Sequence, residues 1–102
     1  MKIIKELVEE IREELEGAEK YARMAAQMKG QDDSMAIMYA DMAKQEMEHV
    51  EKLHGKAADI IKKHRAEKGE PPPAMLAVWE WEHERMIDKA AEIRVMIEMA
   101  RK

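Results

Sequence analysis

The amino-acid sequence predicts an all-α fold, and three observations carry that prediction. Ala, Glu, Lys, Met and Arg, all good helix formers, dominate the 102 residues. Strand-forming runs of Val, Ile, Thr and aromatic residues do not occur. With only 4 glycines and 3 prolines, strong helix-breaking punctuation falls at just two places.

The first break is Lys29-Gly30-Gln31-Asp32-Asp33-Ser34, where Gly30 suits a helix C-terminal stop and the Asp/Ser cluster suits the next N-cap. The second is Lys68-Gly69-Glu70-Pro71-Pro72-Pro73, where glycine ends one helix and proline is tolerated in the first turn of the next. Three helices follow, near residues 2–29, 33–67 and 73–101. At ~1.5 Å per residue they run about 40, 50 and 43 Å. The expected architecture is a long antiparallel hairpin plus a third long helix, in one domain spanning 1–102. A bundle this slender has a thin core, so oligomerisation is expected to bury more surface.

Composition excludes several function classes. Lys+Arg number 18 and Asp+Glu 22, giving a net charge of −4, which argues against nucleic acid as a partner. Without cysteine there are no disulfides, iron–sulfur clusters or thiolate zinc sites, so any metal must be held by Glu, Asp or His. No apolar run approaches the roughly 20 residues of a membrane span. The opening MKIIKELVEE lacks a signal-peptide core, so a cytoplasmic location is the expectation.

The helical stripes hold the informative residues. At steps of three and four, helix 1 carries Ile4, Leu7, Ile11, Glu14, Ala18, Tyr21, Ala25 and Met28. Helix 2 carries Met35, Met38, Met42, Glu46, His49, Leu53, Ala57, Ile60 and His64. Read as buried stripes, both are apolar except at Glu14, Glu46 and His49, near the middle of the hairpin. A buried unpaired carboxylate costs several kcal/mol, so each of these acids needs a partner or water. In an antiparallel hairpin, residues whose numbers average to the turn centre lie level. Glu14 with Glu46 averages 30, Glu14 with His49 averages 31.5, and the turn lies at Gly30–Gln31. Glu46-Met47-Glu48-His49 is also a Glu-x-x-His spacing, which projects both ligands from one side of a helix. A carboxylate facing Glu-x-x-His on a neighbouring helix is half of a di-metal carboxylate site.

The plainer reading is a Glu at the stripe edge reaching for solvent, and among 22 acids that happens often. Glu51…His54 and Glu80…His83 match the same spacing. The agreement of three groups in both stripe and height favours the metal reading. His54 steps off the stripe and reads as exposed or rim-lying; His64, among Lys62, Lys63 and Arg65, reads as solvated. The third stripe is Leu76, Trp79, His83, Ile87, Ala90 and Ile97. On it Glu80 and His83 sit about ten residues, or ~15 Å, from Glu46 and His49. His83 therefore reads as a hydrogen-bonded interfacial histidine, with a second metal position as the lesser option.

Smaller features have plain readings too. Gly17 and Gly55 inside helices cost up to about 1 kcal/mol each relative to Ala, and either close helix contact or simple tolerance explains them. Glu10, Glu13 and Glu16 read as a solvated face, ahead of an acidic path for a metal ion. Met24, Met28, Met35, Met38 and Met42 read as filler of an irregular core, ahead of a soft-metal site. Trp79 and Trp81 point to different faces, and at least one is expected at a subunit contact.

Glu14-Leu15-Glu16-Gly17-Ala18-Glu19-Lys20-Tyr21-Ala22-Arg23-Met24-Ala25, followed by Glu46-Met47-Glu48-His49-Val50, resembles the ferritin-like superfamily. The nearest types are rubrerythrin-type domains and the small encapsulated ferritins. These pair a first-helix Glu, with Tyr seven residues later, with Glu-x-x-His about thirty residues on. The resemblance spans roughly residues 7–56. It implies a ferritin-like bundle with Glu14, Glu46 and His49 as catalytic iron ligands, Tyr21 nearby, and oxidation of Fe(II) by dioxygen or peroxide at a di-iron centre. Mn or Zn also suits these ligand types. Full rubrerythrin-type domains carry two ligand sets on four helices, whereas this chain carries one. Encapsulated ferritins pair two protomers, which implies a homo-oligomer here, a dimer or higher ring. An encapsulating shell is compatible with the resemblance, but no tail resembling a shell-targeting peptide is seen, and the third helix is long where theirs is short. The contrasting expectation is a non-enzymatic helical assembly or adaptor protein whose polar core residues fix helix register.

Overall fold

Both breaks fold as their residues dictate. The structure is a computed structural model that describes residues 2–102; Met1, first residue of the 1–102 domain, lies outside the described residues. Helix α1 runs Lys2–Met28, α2 Asp33–Lys68 and α3 Pro73–Arg101, and no strand occurs among the described residues. Gly30 takes φ 85°, a left-handed conformation that glycine adopts without steric cost. Asp32 is the N-cap of α2: its Oδ1 accepts from Met35 N–H at 3.1 Å and from the Ser34 hydroxyl at 3.0 Å. Pro73 opens α3 in the first turn, where its missing N–H has no bond to lose.

The three helices make an all-α bundle of 55 × 18 × 17 Å. The α1–α2 contact is the most extensive. Near the first turn it is built from Ala18, Ala22 and Ala25 against Ala36, Ala40 and Ala43, all with 0% exposure. Such small side chains allow close helix approach. Helix α3 adds Ala90, Ile93, Ile97 and Ala100 to the same core, which continues through Ile11, Leu15, Met47 and Val50. A second cluster of Ile4, Leu7, Val8, Ala57 and Ile61 closes the far end of the hairpin.

This core bears out part of the expected stripes, with Ile4, Leu7, Ile11, Ala18, Ala25 and Ala57 buried, and corrects the rest. The buried lines run through Leu15 and Ala22 on α1 and through Ala43, Met47 and Val50 on α2, each one residue beyond the expected Glu14, Tyr21, Met42, Glu46 and His49. The latter set is half-buried or exposed. No polar residue is buried among the described residues, so the acids and His49 do not interrupt the core; they flank it. Met24, Met28, Met35 and Met42 are likewise half-buried and Met38 is exposed, so the methionines border the core and do not fill it. Ile87, placed on the third stripe, is 52% exposed.

Helix α3 covers only one flank of the hairpin. Its ion pairs reach Arg12 (from Glu82) and Glu19 (from Lys89) on α1, and Asp41 (from Arg101) and Glu51 (from Arg94) on α2. Glu14 is two residues from Arg12 and His49 two from Glu51, about 200° around each helix. The flank carrying Glu14, Glu46 and His49 is therefore turned away from α3. Among the described residues no helix is long and apolar enough to cross a membrane.

Candidate metal centre

Level matching across the hairpin brings Glu14 of α1 beside Glu46 and His49 of α2. One ligand atom from each lies within 4.8 Å of the other two, the only such group among the described residues. His49 Nδ1 is 3.3 Å from Glu14 Oε2. The side chains of His49 and Glu14 are 52% and 32% exposed, so the cluster opens to solvent. Two carboxyl groups at this spacing cannot ionise independently. Hydrogen bonding to Glu46, with smaller help from His49, lowers the pKa of Glu14. Hydrogen bonding to Glu14, then burial and the neighbouring charge, raises that of Glu46. An array of two carboxylates and an imidazole held at such separations is chemically suited to gripping a divalent cation.

Two glycine and tyrosine features border the cluster. Gly17 leaves bare backbone beside the Glu46 carboxyl, with Oε2 3.1 Å from where a Cβ would stand. Tyr21 stacks on Tyr39 at 6.2 Å between ring centroids, joining the two helices on the turn side of the cluster. The sequence singled out Gly17 and Tyr21, but nothing in it marked Tyr39.

The other histidines lie elsewhere, and three expectations about them change. His54 is not at an exposed rim: it is partly buried, with Trp79 stacked at 5.3 Å and His83 at 4.6 Å, and its buried Nε2 lacks a hydrogen-bond partner. The stack forms because Trp79 and His83 are one turn apart on the inner side of α3. His83 is interfacial as expected, but its contact is this stacking and not a hydrogen bond. His64 is half-buried, its ring Nδ1 3.1 Å from the Gly69 carbonyl oxygen that it caps. Trp81 faces outward at 57% exposure, with the Arg85 guanidinium 4.8 Å over its ring.

The His54 stack gives the bundle a titratable seam. Burial, then the neighbouring His83, lowers the His54 pKa below its ordinary 6.5. Glu82, the acid among the residues lining this seam, is engaged by Arg12 of α1. The unfolded chain thus takes up a proton that the folded chain resists, and stability falls as pH drops through 6.5. In urea unfolding between pH 8 and 5.5, His54→Phe is expected to flatten this decline. It should also raise the midpoint at pH 8, since it removes an unpartnered buried nitrogen that costs about 1–3 kcal/mol. An unchanged pH slope would show that His54 does not titrate with folding.

Comparisons of the chain with protein-family models, with curated proteins and with solved structures give no significant match.

Proposed function

We propose that this chain is a ferritin-like di-iron carboxylate protein that holds iron at a site shared between subunits and oxidises Fe(II), in iron storage or detoxification. The observation that carries this reading is the convergence of Glu14, Glu46 and His49 from two helices onto one open flank of the hairpin. Carboxylate oxygens and an imidazole are ligands that suit Fe, Mn and Zn alike. Three such ligands, with two negative charges, are too few for two ions. A second copy across a two-fold axis brings the set to four carboxylates and two imidazoles, whose four charges balance two Fe(II).

The surroundings favour a second copy on this flank. Because α3 sits on the other side, the cluster is free to be covered. Met35 and Met42, half-buried, and Met38, 46% exposed, lie on the same side of α2 as His49. Flexible thioether side chains adapt well to an apolar contact. Covering the site would also remove the water that now reaches His49. The half-exposed position weighs against the adaptor alternative, in which polar residues fix register from inside a core.

Fe(II) is then the substrate. Two Fe(II) ions give up two electrons, which with two protons reduce dioxygen to hydrogen peroxide, or peroxide to water. The role of the chain is to hold both ions at balanced charge and to present them to the oxidant. Anaerobic titration with Fe(II), followed by sedimentation, is expected to give one iron per chain and a doubled mass. Admitting air should then produce the Fe(III) absorbance. Iron bound by a chain that stays monomeric would overturn the shared site, and no bound iron would overturn the metal reading.

A further inference from the structure

Two glycines lie inside helices, Gly17 in α1 and Gly55 in α2, where glycine weakens a helix relative to alanine. Their surroundings differ. A Cβ at Gly55 would meet nothing within 4 Å. A Cβ at Gly17 would stand 3.1 Å from Glu46 Oε2 and 3.7 Å from its Cδ, and the three nearest atoms across the interface all belong to Glu46. Gly17 also follows Glu14 by one turn on the same flank of α1.

We infer that Gly17 is a positioning residue for the metal centre: its missing side chain is the notch in α1 into which the Glu46 carboxyl reaches from α2, to stand beside Glu14 of α1. The inference rests on the metal reading of that cluster. The contact falls on the far end of a flexible side chain, so the fold itself has no need of the glycine. A methyl group there would move the carboxyl by a few tenths of an ångström. Metal–ligand distances in a formed site hold to within about 0.2 Å of their ordinary values, so a displaced carboxyl has to press back against the methyl group to ligate. The helix is weakened at Gly17 to keep one ligand in place.

The test separates the site from the fold. Metal-free Gly17→Ala and Gly55→Ala are both expected to melt at higher temperature than wild type, because each removes a helix glycine. In anaerobic Fe(II) titration, and with Zn(II) as a redox-silent probe, Gly17→Ala should bind about 10–100-fold more weakly, as expected when a ligand's support is disturbed. Gly17→Val should bind more weakly still, and Gly55→Ala should bind as wild type. Wild-type affinity in Gly17→Ala would overturn the inference, and so would an equal loss in Gly55→Ala. If wild type itself binds neither ion, the metal reading fails separately. A crystal structure of metal-free Gly17→Ala then decides the notch: a Glu46 carboxyl displaced from Glu14 and His49 supports it, and an unmoved one overturns it.

Discussion

Glu46→Ala is expected to lose Fe(II) binding and oxygen-dependent iron oxidation almost completely while leaving the metal-free protein as stable as wild type. Ligand loss should exceed the roughly 10–100-fold cost of disturbing a group that merely supports a ligand, so a loss of at least about 100-fold in affinity is the expectation. His49→Ala and Glu14→Ala should match it, since each removes one of the three candidate ligands that converge among the described residues. If the site is shared across a two-fold axis, one substitution removes two ligands from the assembled centre, and metal-driven doubling of mass should vanish with binding. Stability should behave differently. None of the three side chains is buried, and substitutions away from a core usually change stability by no more than about 0.5 kcal/mol. Glu46→Ala also frees Glu14 from a neighbouring carboxyl group. Iron oxidation at the wild-type rate in Glu46→Ala and His49→Ala would show that the chemistry happens elsewhere. A parallel loss of melting temperature would mean that the cluster is structural.

Helix limits could be read directly from the sequence, because Gly30, Asp32, Gly69 and Pro73 each act through local backbone chemistry that needs no tertiary partner. The meeting of Glu14, Glu46 and His49 was readable for a similar reason. It depends on the rise per residue and the position of one turn, both set locally. The phase of the core was readable only in part, at Ile4, Leu7, Ile11, Ala18, Ala25 and Ala57. Large residues such as Tyr21 and Met42 drew the expected stripe toward themselves, whereas the helices close on Ala22 and Ala43, which carry little hydrophobicity but permit close approach. Which flank α3 would choose was also hidden. The inner face of α3 was legible, since Leu76, Trp79, His83, Ala90 and Ile97 of the third stripe are buried or half-buried and Ile87 alone is exposed, but nothing on α1 or α2 marks which flank of the hairpin that face covers. His54 became partly buried through that choice, because it lies on the flank that α3 covers.

Ile93→Ala is expected to be the most destabilising single truncation on α3, and to leave the proposed metal centre intact. Ile93 has 0% exposure and belongs to the core cluster shared by all three helices. Ile→Ala at a site of this kind costs about 2–5 kcal/mol through lost transfer energy and the cavity left behind. A chain of this size has about 5–15 kcal/mol in total. The surface ion pairs that also hold α3, such as Lys89 with Glu19 at 2.8 Å, contribute at most about 1 kcal/mol each and cannot compensate. Yet α3 lies across the core from Glu14, Glu46 and His49, and contributes no group to their cluster. Urea unfolding should therefore show the large loss of stability, while Fe(II) or Zn(II) titration well below the unfolding midpoint should give wild-type affinity. A metal affinity that falls together with stability would place α3 within the functional unit of the site and overturn its assignment to the hairpin alone.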